Sequence, residues 1–471
     1  MSEFKLSDGL DKSKIFLILN KNKNDRLDPH YYLPKFDILK LKLLNSGFEL
    51  KYLNEICDIN RGGSPRPIQN YLTHNEDGVN WIKIGDTKKV DKYIYTTKQK
   101  IKPIGVRYSR MVYEGDFILS NSMSFGKPYI MKTTGCIHDG WLLLRKKDNT
   151  ITDDYLYTLL SSNIMYQLFK QATIGGVVDN LSIDLVKKIK IPIPNKIIQK
   201  NIVNILDNGI KQKQQKEKQA KDLLDSIDDY LLDELGITLP EIDNSLEKRI
   251  FEVNLSEISG IRFDPDYKSK IDNLNNLTWK YNLYELKDLM IGSAQYGANE
   301  TAQECTSQDN VRYIRITDID EIGILKENNM KTANIIQEQY ILNYNDILFA
   351  RSGSVGRCYI HKNMNNKAIF AGYLIRFILD EKKVNLDYFF YYCHSSIYKY
   401  WVSAIERPAV QSNINSEEYK SLKVPIPPIA KQNEIAEHIQ TIRDNAKKLK
   451  VEAVQDLENA KIEVEKMILG K

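Results

Sequence analysis

The chain of 471 residues is built from one unit written twice. The segment NLSIDLVKKIKIPIP at 180–194 matches NINSEEYKSLKVPIP at 413–427, so equivalent positions differ by 233. Likewise, YEGDFILSNSMSFGKPYIMK at 113–132 matches NYNDILFARSGSVGRCYIHK at 343–362, and VNWIKIGDT matches VRYIRITDI at an offset of 232. Matches in the same order at nearly one offset indicate duplication of a whole structural unit. We therefore predict two globular domains, each followed by the same kind of tail.

Each globular copy mixes short strand-like runs with turn residues and one helical stretch. The predicted strands cover 81–84, 117–119 and 142–144 in the first copy, and 313–316, 347–349 and 374–378 in the second. The predicted helices cover 153–162 and 386–396. This mixture predicts the α+β class. The paired prolines of IPIP and VPIPP favour extended backbone and end regular structure, so we interpret them as rigid connectors between domain and tail.

The two tails carry apolar residues at the alternating spacing of three and four that is typical of coiled-coil helices. Neither tail contains proline after its first apolar position, and Gly209 is the one weak point of the first helix. The residues that we single out for the seam are Leu206, Ile210, Leu224, Ile227, Leu231, Ile435, Ile439, Ile442, Leu449 and Leu457.

Charge predicts how the two tails pair. The first tail has a net charge of +4 over 211–221 and −6 over 222–234, and the second has +3 over 443–450 and −4 over 451–465. Parallel pairing would place like charges side by side, whereas antiparallel pairing matches opposite charges. We therefore expect an antiparallel two-helix coiled coil with the globular domains at opposite ends. The alternatives are that each tail packs on its own domain or on a second chain.

Composition and motifs argue against catalysis and against a metal centre. The five cysteines and six histidines are dispersed, without CxxC, HxxxH or HExxH spacing, which predicts reduced thiols and no zinc site. The chain has no GxxxxGK[ST] loop, nucleophile elbow or adenine-methyltransferase motif, and Glu381-Lys382-Lys383 is a nuclease-like match expected by chance. With no apolar stretch long enough for a bilayer and no signal-peptide layout, we expect a cytoplasmic protein without membrane contact.

Binding to nucleic acid is the better prediction, although the net charge of +5 is modest. Loops marked by glycine interleave arginine, lysine, serine, asparagine and aromatic residues, which are the side chains that contact bases and phosphates. Trp81 and Tyr129 are interpreted as core aromatics. The candidate DNA-binding residues are Arg61, Ser64, Arg66, Lys83, Ser120, Asn121, Lys127, Tyr296, Asn299, Arg312, Arg315, Arg351, Ser352 and Arg357.

With these features in place, the chain resembles the specificity (S) subunit of a type I restriction-modification system. The likeness spans nearly the whole chain, and its most specific parts are LSIDLVKKIKIPIPNKIIQKNI at 181–202 and INSEEYKSLKVPIPPIAKQNEI at 414–435. The resemblance implies two target-recognition domains at 1–195 and 238–428, and conserved helical regions at 196–237 and 429–471. It also implies that each recognition domain reads one half of a bipartite DNA site, while the coiled coil sets the spacer.

The same resemblance implies the partners and cofactors. Besides double-stranded DNA, the partners would be two adenine methyltransferase (M) subunits and two restriction/translocase (R) subunits. The seam residues of the two tails would form the surface on which the M subunits dock, or lie next to it. S-adenosylmethionine, ATP and Mg²⁺ would be bound by those partners and none by this chain, which would be non-catalytic. The N-terminal 45 residues are longer than a minimal recognition domain requires. RLDPHYY at 26–32 and RFDPDYK at 262–268 are also similar to type IIB-like specificity chains.

Three alternatives to a type I specificity subunit stay open on the sequence. One is the specificity subunit of a type IIB-like restriction-methylation enzyme. Another is a self-contained nuclease or methyltransferase, which would cleave DNA with a metal or bind S-adenosylmethionine on its own. The third is a coiled-coil adaptor with protein-binding domains, which would leave DNA unbound.

Overall fold

The structure, a computed structural model, describes residues 29–87, 92–121, 125–174, 180–239, 252–254, 264–305, 311–363, 365–406 and 412–471. The chain forms two compact units, one comprising 1–216 with 451–471 and the other comprising 217–450. Each unit thus combines one globular segment with part of each long helix. Most of the N-terminal 45 residues noted above lie outside the described residues.

The helices include two of 40 residues each, which coincide with the predicted tails. The α-helices are α1 Pro34–Leu44, α2 Leu53–Ile56, α3 Asp153–Ser161, α4 Asn163–Gln171, α5 Ile183–Lys187, α6 Lys196–Leu235, α7 Pro265–Asn275, α8 Leu286–Leu289, α9 Leu386–Tyr392, α10 Ser396–Ile405, α11 Ser416–Lys420 and α12 Ile429–Ile468.

The strands are short, and they fall in the globular segments. In the first unit they are β1 Glu49–Tyr52, β2 Cys57–Arg61, β3 Leu72–Thr73, β4 Val79–Ile82, β5 Tyr93–Ile94, β6 Gln99–Ile101, β7 Arg110–Val112, β8 Phe117–Ser120, β9 Pro128–Met131, β10 Gly135–Ile137, β11 Trp141–Lys146, β12 Thr173–Ile174, β13 Asn180–Leu181 and β14 Lys190–Ile193. In the second unit they are β15 Leu283–Glu285, β16 Gln295–Tyr296, β17 Ala302–Glu304, β18 Arg312–Ile314, β19 Lys331–Ala333, β20 Ile347–Ala350, β21 Cys358–Ile360, β22 Ala368–Phe370, β23 Leu374–Phe377 and β24 Lys423–Pro425.

The sheets repeat the same connections in both units. The first unit has a sheet ordered β2-β11-β8-β9-β5, and the second has β16-β23-β20-β21. The first unit also has a sheet ordered β3-β6-β4-β10-β7, in which β4 and β10 are parallel, as are β18 and β22 in the second unit. The architecture is therefore α+β, with two repeated mixed domains, as the sequence predicts.

Equivalent charged pairs fix the equivalent sheets. In the first unit the Arg145 guanidinium donates to both carboxylate oxygens of Asp116, at 2.8 and 2.6 Å. In the second, Arg376 Nη1 donates to Asp346 Oδ2 at 3.0 Å. Each aspartate also accepts a backbone N–H from three residues earlier, at 2.8 and 2.9 Å. The duplication is thus preserved at the level of single hydrogen bonds.

The proline segments form strands as well as connectors. β14 pairs antiparallel with β1, placing Pro192 opposite Leu50, and β24 pairs with β15, placing Pro425 opposite Leu283. The predicted extended conformation is confirmed, but the expectation that these segments end regular structure is wrong. Proline lacks only the N–H donor, so it fits an edge strand of a two-stranded sheet.

Within each unit the two long helices run antiparallel. In the first unit Lys216 Nζ lies 2.9 Å from Glu452 Oε2 and 2.8 Å from Asp456 Oδ2. In the second, the ring centroids of Tyr230 and His438 lie 4.3 Å apart, and Lys431 Nζ lies 2.8 Å from Glu234 Oε2. Partners on α12 move towards its N-terminus as those on α6 move towards its C-terminus. The predicted antiparallel coiled coil is therefore present.

The seam follows the predicted positions with one exception. Leu231, Ile435 and Ile439 are buried, and Leu206, Leu224, Ile227, Ile442, Leu449 and Leu457 are partly buried. Ile210 is 38 % exposed, so it lies outside the buried seam of this chain, and its part in subunit docking stays a prediction. Gly209 occupies that place instead, and a Cβ added to it would lie 2.4 Å from the Cβ of Ala460. The missing side chain is what lets the two helices approach closely here.

Substituting Gly209 with alanine tests this close approach. Alanine should gain about 1 kcal/mol from helix propensity, but overpacking against Ala460 costs about 1–3 kcal/mol, so we expect net destabilisation. The double variant Gly209→Ala/Ala460→Gly should be more stable than the sum of the single changes predicts. Chemical denaturation would measure these free energies, with exposed Gln214→Ala as the control. A Gly209→Ala protein as stable as the unaltered chain would contradict the packing argument.

Candidate nucleic-acid interface

In the first unit, three of the predicted residues converge on one aspartate that the sequence did not single out. Arg61 ends β2, and the loop that follows it carries Ser64 and Arg66. Ser64 Oγ donates to Asp139 Oδ1 at 2.7 Å, and Arg66 Nη2 donates to Asp139 Oδ2 at 3.1 Å. Arg61 Nε donates to the Asp139 carbonyl oxygen at 3.1 Å. The loop is therefore a defined structure, with its basic groups held at the surface.

This loop forms one wall of an open cleft of about 830 Å³. Lys83, another of the predicted residues, also lines this cleft, and its backbone N–H donates to Asp86 Oδ2 at 2.9 Å. The cleft residues are Ser64, Pro65, Arg66, Pro67, Ile68, Leu72, Trp81, Lys83, Gln99 and His138. A lining that combines apolar and aromatic side chains with polar and cationic ones is suited to nucleotide contact.

The ionisation of His138 and Asp139 follows from their surroundings. Burial lowers the pKa of His138, so its imidazole is neutral at pH 7; its Nδ1 lies 2.7 Å from the backbone nitrogen of Gly140. The hydrogen bond from the Ser64 hydroxyl lowers the pKa of Asp139, so its carboxylate is ionised. The negative charge among these basic groups therefore persists at neutral pH.

The remaining predicted residues of the first unit lie at the end of β8 and in the turn that follows it. Ser120 is buried, and its Oγ accepts the backbone N–H of Lys127 at 2.9 Å. Asn121 is fully buried, and its backbone N–H donates to the Gly140 carbonyl at 2.8 Å. Lys127 is exposed. Of these three, only the lysine side chain offers a surface group.

Trp81 and Tyr129 belong to the core, as expected. Trp81 is buried, and Tyr129 packs edge-on against Trp141 with ring centroids 5.8 Å apart.

In the second unit, Tyr296 and Arg351 form a stacked pair. The Arg351 guanidinium lies 4.9 Å from the centroid of the Tyr296 ring. Tyr296 Oη donates to Ser416 Oγ at 3.2 Å, and the Arg351 backbone N–H donates to the Tyr373 carbonyl at 2.9 Å. The Tyr373 side chain is 60 % exposed, and Asn299 beside it is also exposed. These residues form a polar and aromatic surface patch.

Three other arginines of the second unit hold the backbone around residues 316–326. Arg315 donates to both carboxylate oxygens of Asp318, at 2.7 and 3.1 Å. Arg312 donates to the Lys326 carbonyl, and Arg357 to the Ile319 carbonyl. Their guanidinium groups are engaged by the chain itself. Ser352 is buried, forming a backbone bridge with Asn413.

Sequence reasoning missed Asp139 and Tyr373, which belong to the surface groups described above, and Asp318, which binds Arg315 within the fold. Asp139 is separated from Ser64 by 75 residues, so no local pattern indicates the pair. Asp318 lies within the repeated VRYIRITDI segment and matches Asp86, so the repeat itself carried a signal for it. Contact of any candidate with DNA stays a prediction.

Two further features bear on the chemistry of the described residues. Among them, no group of three or more His, Cys, Asp and Glu side chains is placed to hold a metal ion. No described helix is both long enough and apolar enough to cross a bilayer.

Comparison with known proteins follows the two repeats. The family model for the type I restriction modification DNA specificity domain matches residues 45–225 and 278–458. The type I restriction enzyme MjaVIII specificity subunit of Methanocaldococcus jannaschii is 23 % identical over 365 residues, covering 76 % of this chain and 79 % of that protein. A solved structure concerned with complex assembly and conformational transition of the type I R-M system aligns with a TM-score of 0.56 at 12 % identity. That alignment covers 90 % of this chain and 96 % of the other, and it supports the fold.

The geometry predicts that replacing Arg315 lowers stability and that replacing Lys127 does not. Arg315→Ala removes both hydrogen bonds to buried Asp318, so we expect it to lower the free energy of unfolding by about 1–3 kcal/mol. Lys127→Ala removes an exposed side chain, so a change within about 0.5 kcal/mol is expected. Urea denaturation of both variants measures this difference. Equal stability of the two variants would show that the Arg315–Asp318 pair is not structural.

Proposed function

Because the chain belongs to the type I restriction-modification DNA specificity family, whose subunits recognise DNA and are not catalytic, we propose that it reads a bipartite DNA site for a type I restriction-modification complex. In this proposal it directs adenine-N6 methylation and restriction by partner M and R subunits, two of each. The partner subunits, and not this chain, bind S-adenosylmethionine, ATP and Mg²⁺. The complex is cytoplasmic.

The observation that carries this proposal is a repeated framework with unlike loops. The Asp116–Arg145 and Asp346–Arg376 pairs are equivalent, so the two scaffolds place equivalent loops in the same way. The surface groups themselves differ: the first unit has a serine and an arginine of the loop after β2 bound to Asp139, and the second has Arg351, which follows β20, over the ring of Tyr296 at the end of β16. Two scaffolds with different contact chemistry suit two different half-sites.

The antiparallel helices support a role as a spacer. In each unit they are held by buried apolar side chains, and their length is fixed by the sequence. We assign to them the spacing of the two half-sites and the docking of the M subunits. The number of unspecified base pairs would then depend on helix length at 1.5 Å per residue.

The direct test is the methylome of a host that expresses this chain with its partner genes. A two-part methylated motif is expected, and its absence would contradict the proposal. The purified chain should neither cleave DNA nor bind S-adenosylmethionine, since either activity would favour a self-contained enzyme. DNA that stays unbound even with the M subunit present would favour a protein-binding adaptor.

Exchanging residues 1–195 for those of a relative with another specificity should change one half of the methylated motif. The other half and the spacer should stay the same, because the second unit and both helices are retained. Single-molecule sequencing of methylated adenines measures both halves at once. A change in both halves would contradict independent reading by the two units.

Point substitutions in the loops should act on one half-site each. Arg66→Ala should weaken recognition of one half and Arg351→Ala that of the other, each by about 1–3 kcal/mol, or roughly 5- to 150-fold in affinity. Binding of the chain–M complex to DNA with single-base changes measures this, and exposed Lys42→Ala on α1 serves as the control. Equal loss across all DNA sequences would indicate phosphate contact instead.

A further inference from the structure

Asp139 accepts hydrogen bonds from three residues at the end of β2 and in the loop that follows it. Its two carboxylate oxygens accept from Ser64 and Arg66, and its backbone carbonyl accepts from Arg61. Its backbone N–H also points to Ser64 Oγ at 3.4 Å. One residue thus determines where the hydroxyl and guanidinium groups of this loop lie.

The backbone beneath the loop is fixed independently of Asp139. The Gly62 N–H donates to the Trp141 carbonyl at 2.9 Å, and the Gly63 N–H donates to the Ile137 carbonyl at 3.2 Å. A Cβ at Gly62 would lie 2.1 Å from the carbonyl oxygen of His138, so only glycine allows this approach. The loop backbone therefore keeps its place when the Asp139 side chain changes.

The ion pair itself adds little to stability. The Arg66 side chain is 79 % exposed and that of Asp139 is 44 % exposed. Exposed pairs of this kind contribute about 0–1 kcal/mol. The main consequence of these contacts is therefore not stability. It is the orientation of Ser64 and Arg66, which both line the cleft. It occupies one N–H of the Arg66 guanidinium and leaves the others directed to solvent.

We propose that Asp139 is a positioning residue for half-site recognition: it orients Ser64 and Arg66 towards base edges, and its negative charge repels phosphate from the cleft. The inference rests on the proposed function and deepens it. Arginine reads guanine only when two of its N–H groups meet O6 and N7 together, so a fixed guanidinium discriminates and a mobile one does not. A free guanidinium would instead pair with any phosphate, which carries no sequence information.

The test uses the complete chain with its M subunit and compares Asp139→Asn with Asp139→Ala. The asparagine still accepts from Ser64 but loses the charge that holds Arg66, whereas alanine loses both. We expect Asp139→Asn to lower the ratio of specific to non-specific DNA affinity about tenfold, with stronger non-specific binding and a steeper salt dependence. Asp139→Ala should lower it further. The methylated motif should become degenerate in one half only.

The matched control is Glu114→Gln, which removes another ion-paired carboxylate of the same unit, 3.2 Å from Lys132 Nζ. It should leave both halves of the motif unchanged. The midpoint of thermal unfolding of every variant should stay close to that of the unaltered chain. If Asp139 were purely structural, its replacement would instead lower the unfolding temperature and weaken recognition of both halves together. That outcome, or an unchanged motif in Asp139→Asn, would overturn the inference. If the unaltered chain directs no two-part methylation, the proposed function fails first, and the two failures are thereby distinguished.

Discussion

Each long helix is joined to its globular segment through one buried glutamine, and the arrangement within each unit depends on that junction. Gln199 Oε1 accepts the Thr152 N–H at 2.9 Å, and its Nε2 donates to the carbonyls of Pro194 and Thr150 at 2.9 and 3.1 Å. Gln432 makes the equivalent bonds to the Asn385 N–H and the Pro427 carbonyl, both at 2.8 Å. Leaving such buried groups unpaired would cost about 1–3 kcal/mol for each. The amide therefore fixes where the helix begins and how it meets the domain.

With the scaffold fixed in this way, the loops are free to differ between the repeats. The turn that carries Asp139 in the first unit corresponds to residues 371–373 in the second, where no acidic residue is present. That turn instead accepts the backbone N–H of Arg351 at the Tyr373 carbonyl, and the partly buried Arg351 guanidinium lies over the ring of Tyr296. Stability resides in the buried bonds that both repeats share, and contact chemistry resides in the turns that they do not share. This separation lets recognition change without loss of the fold.

The sequence predicted the parts of the fold that repeat or are periodic. The duplication, the strands at 117–119, 142–144 and 347–349, and the two long helices depend on local patterns, so they could be read directly. The candidate site was harder, because its bonds join residues far apart in the chain, as with Ser64 and Asp139. Arginine is a residue type that often contacts DNA, so the sequence favoured Arg315 as a contact. Only the structure shows that its guanidinium is bound to Asp318. Ile210 fits the apolar spacing, yet a glycine beside it decides which face is buried.

The acidic halves of the two long helices do more than select the direction of pairing. Cross-helix ion pairs join Lys216 to two acids of α12 and Lys431 to Glu234. Other acids bond to the globular segments: Asp228 Oδ1 accepts the Ser396 N–H at 2.8 Å, and Glu465 Oε1 accepts the Asn163 N–H at 2.9 Å. Both of these N–H groups begin a helix, where a negative charge is favoured. Because each bond joins a long helix to the corner between two domain helices, the acidic run orients the domain on the helix as well as the helix on its partner.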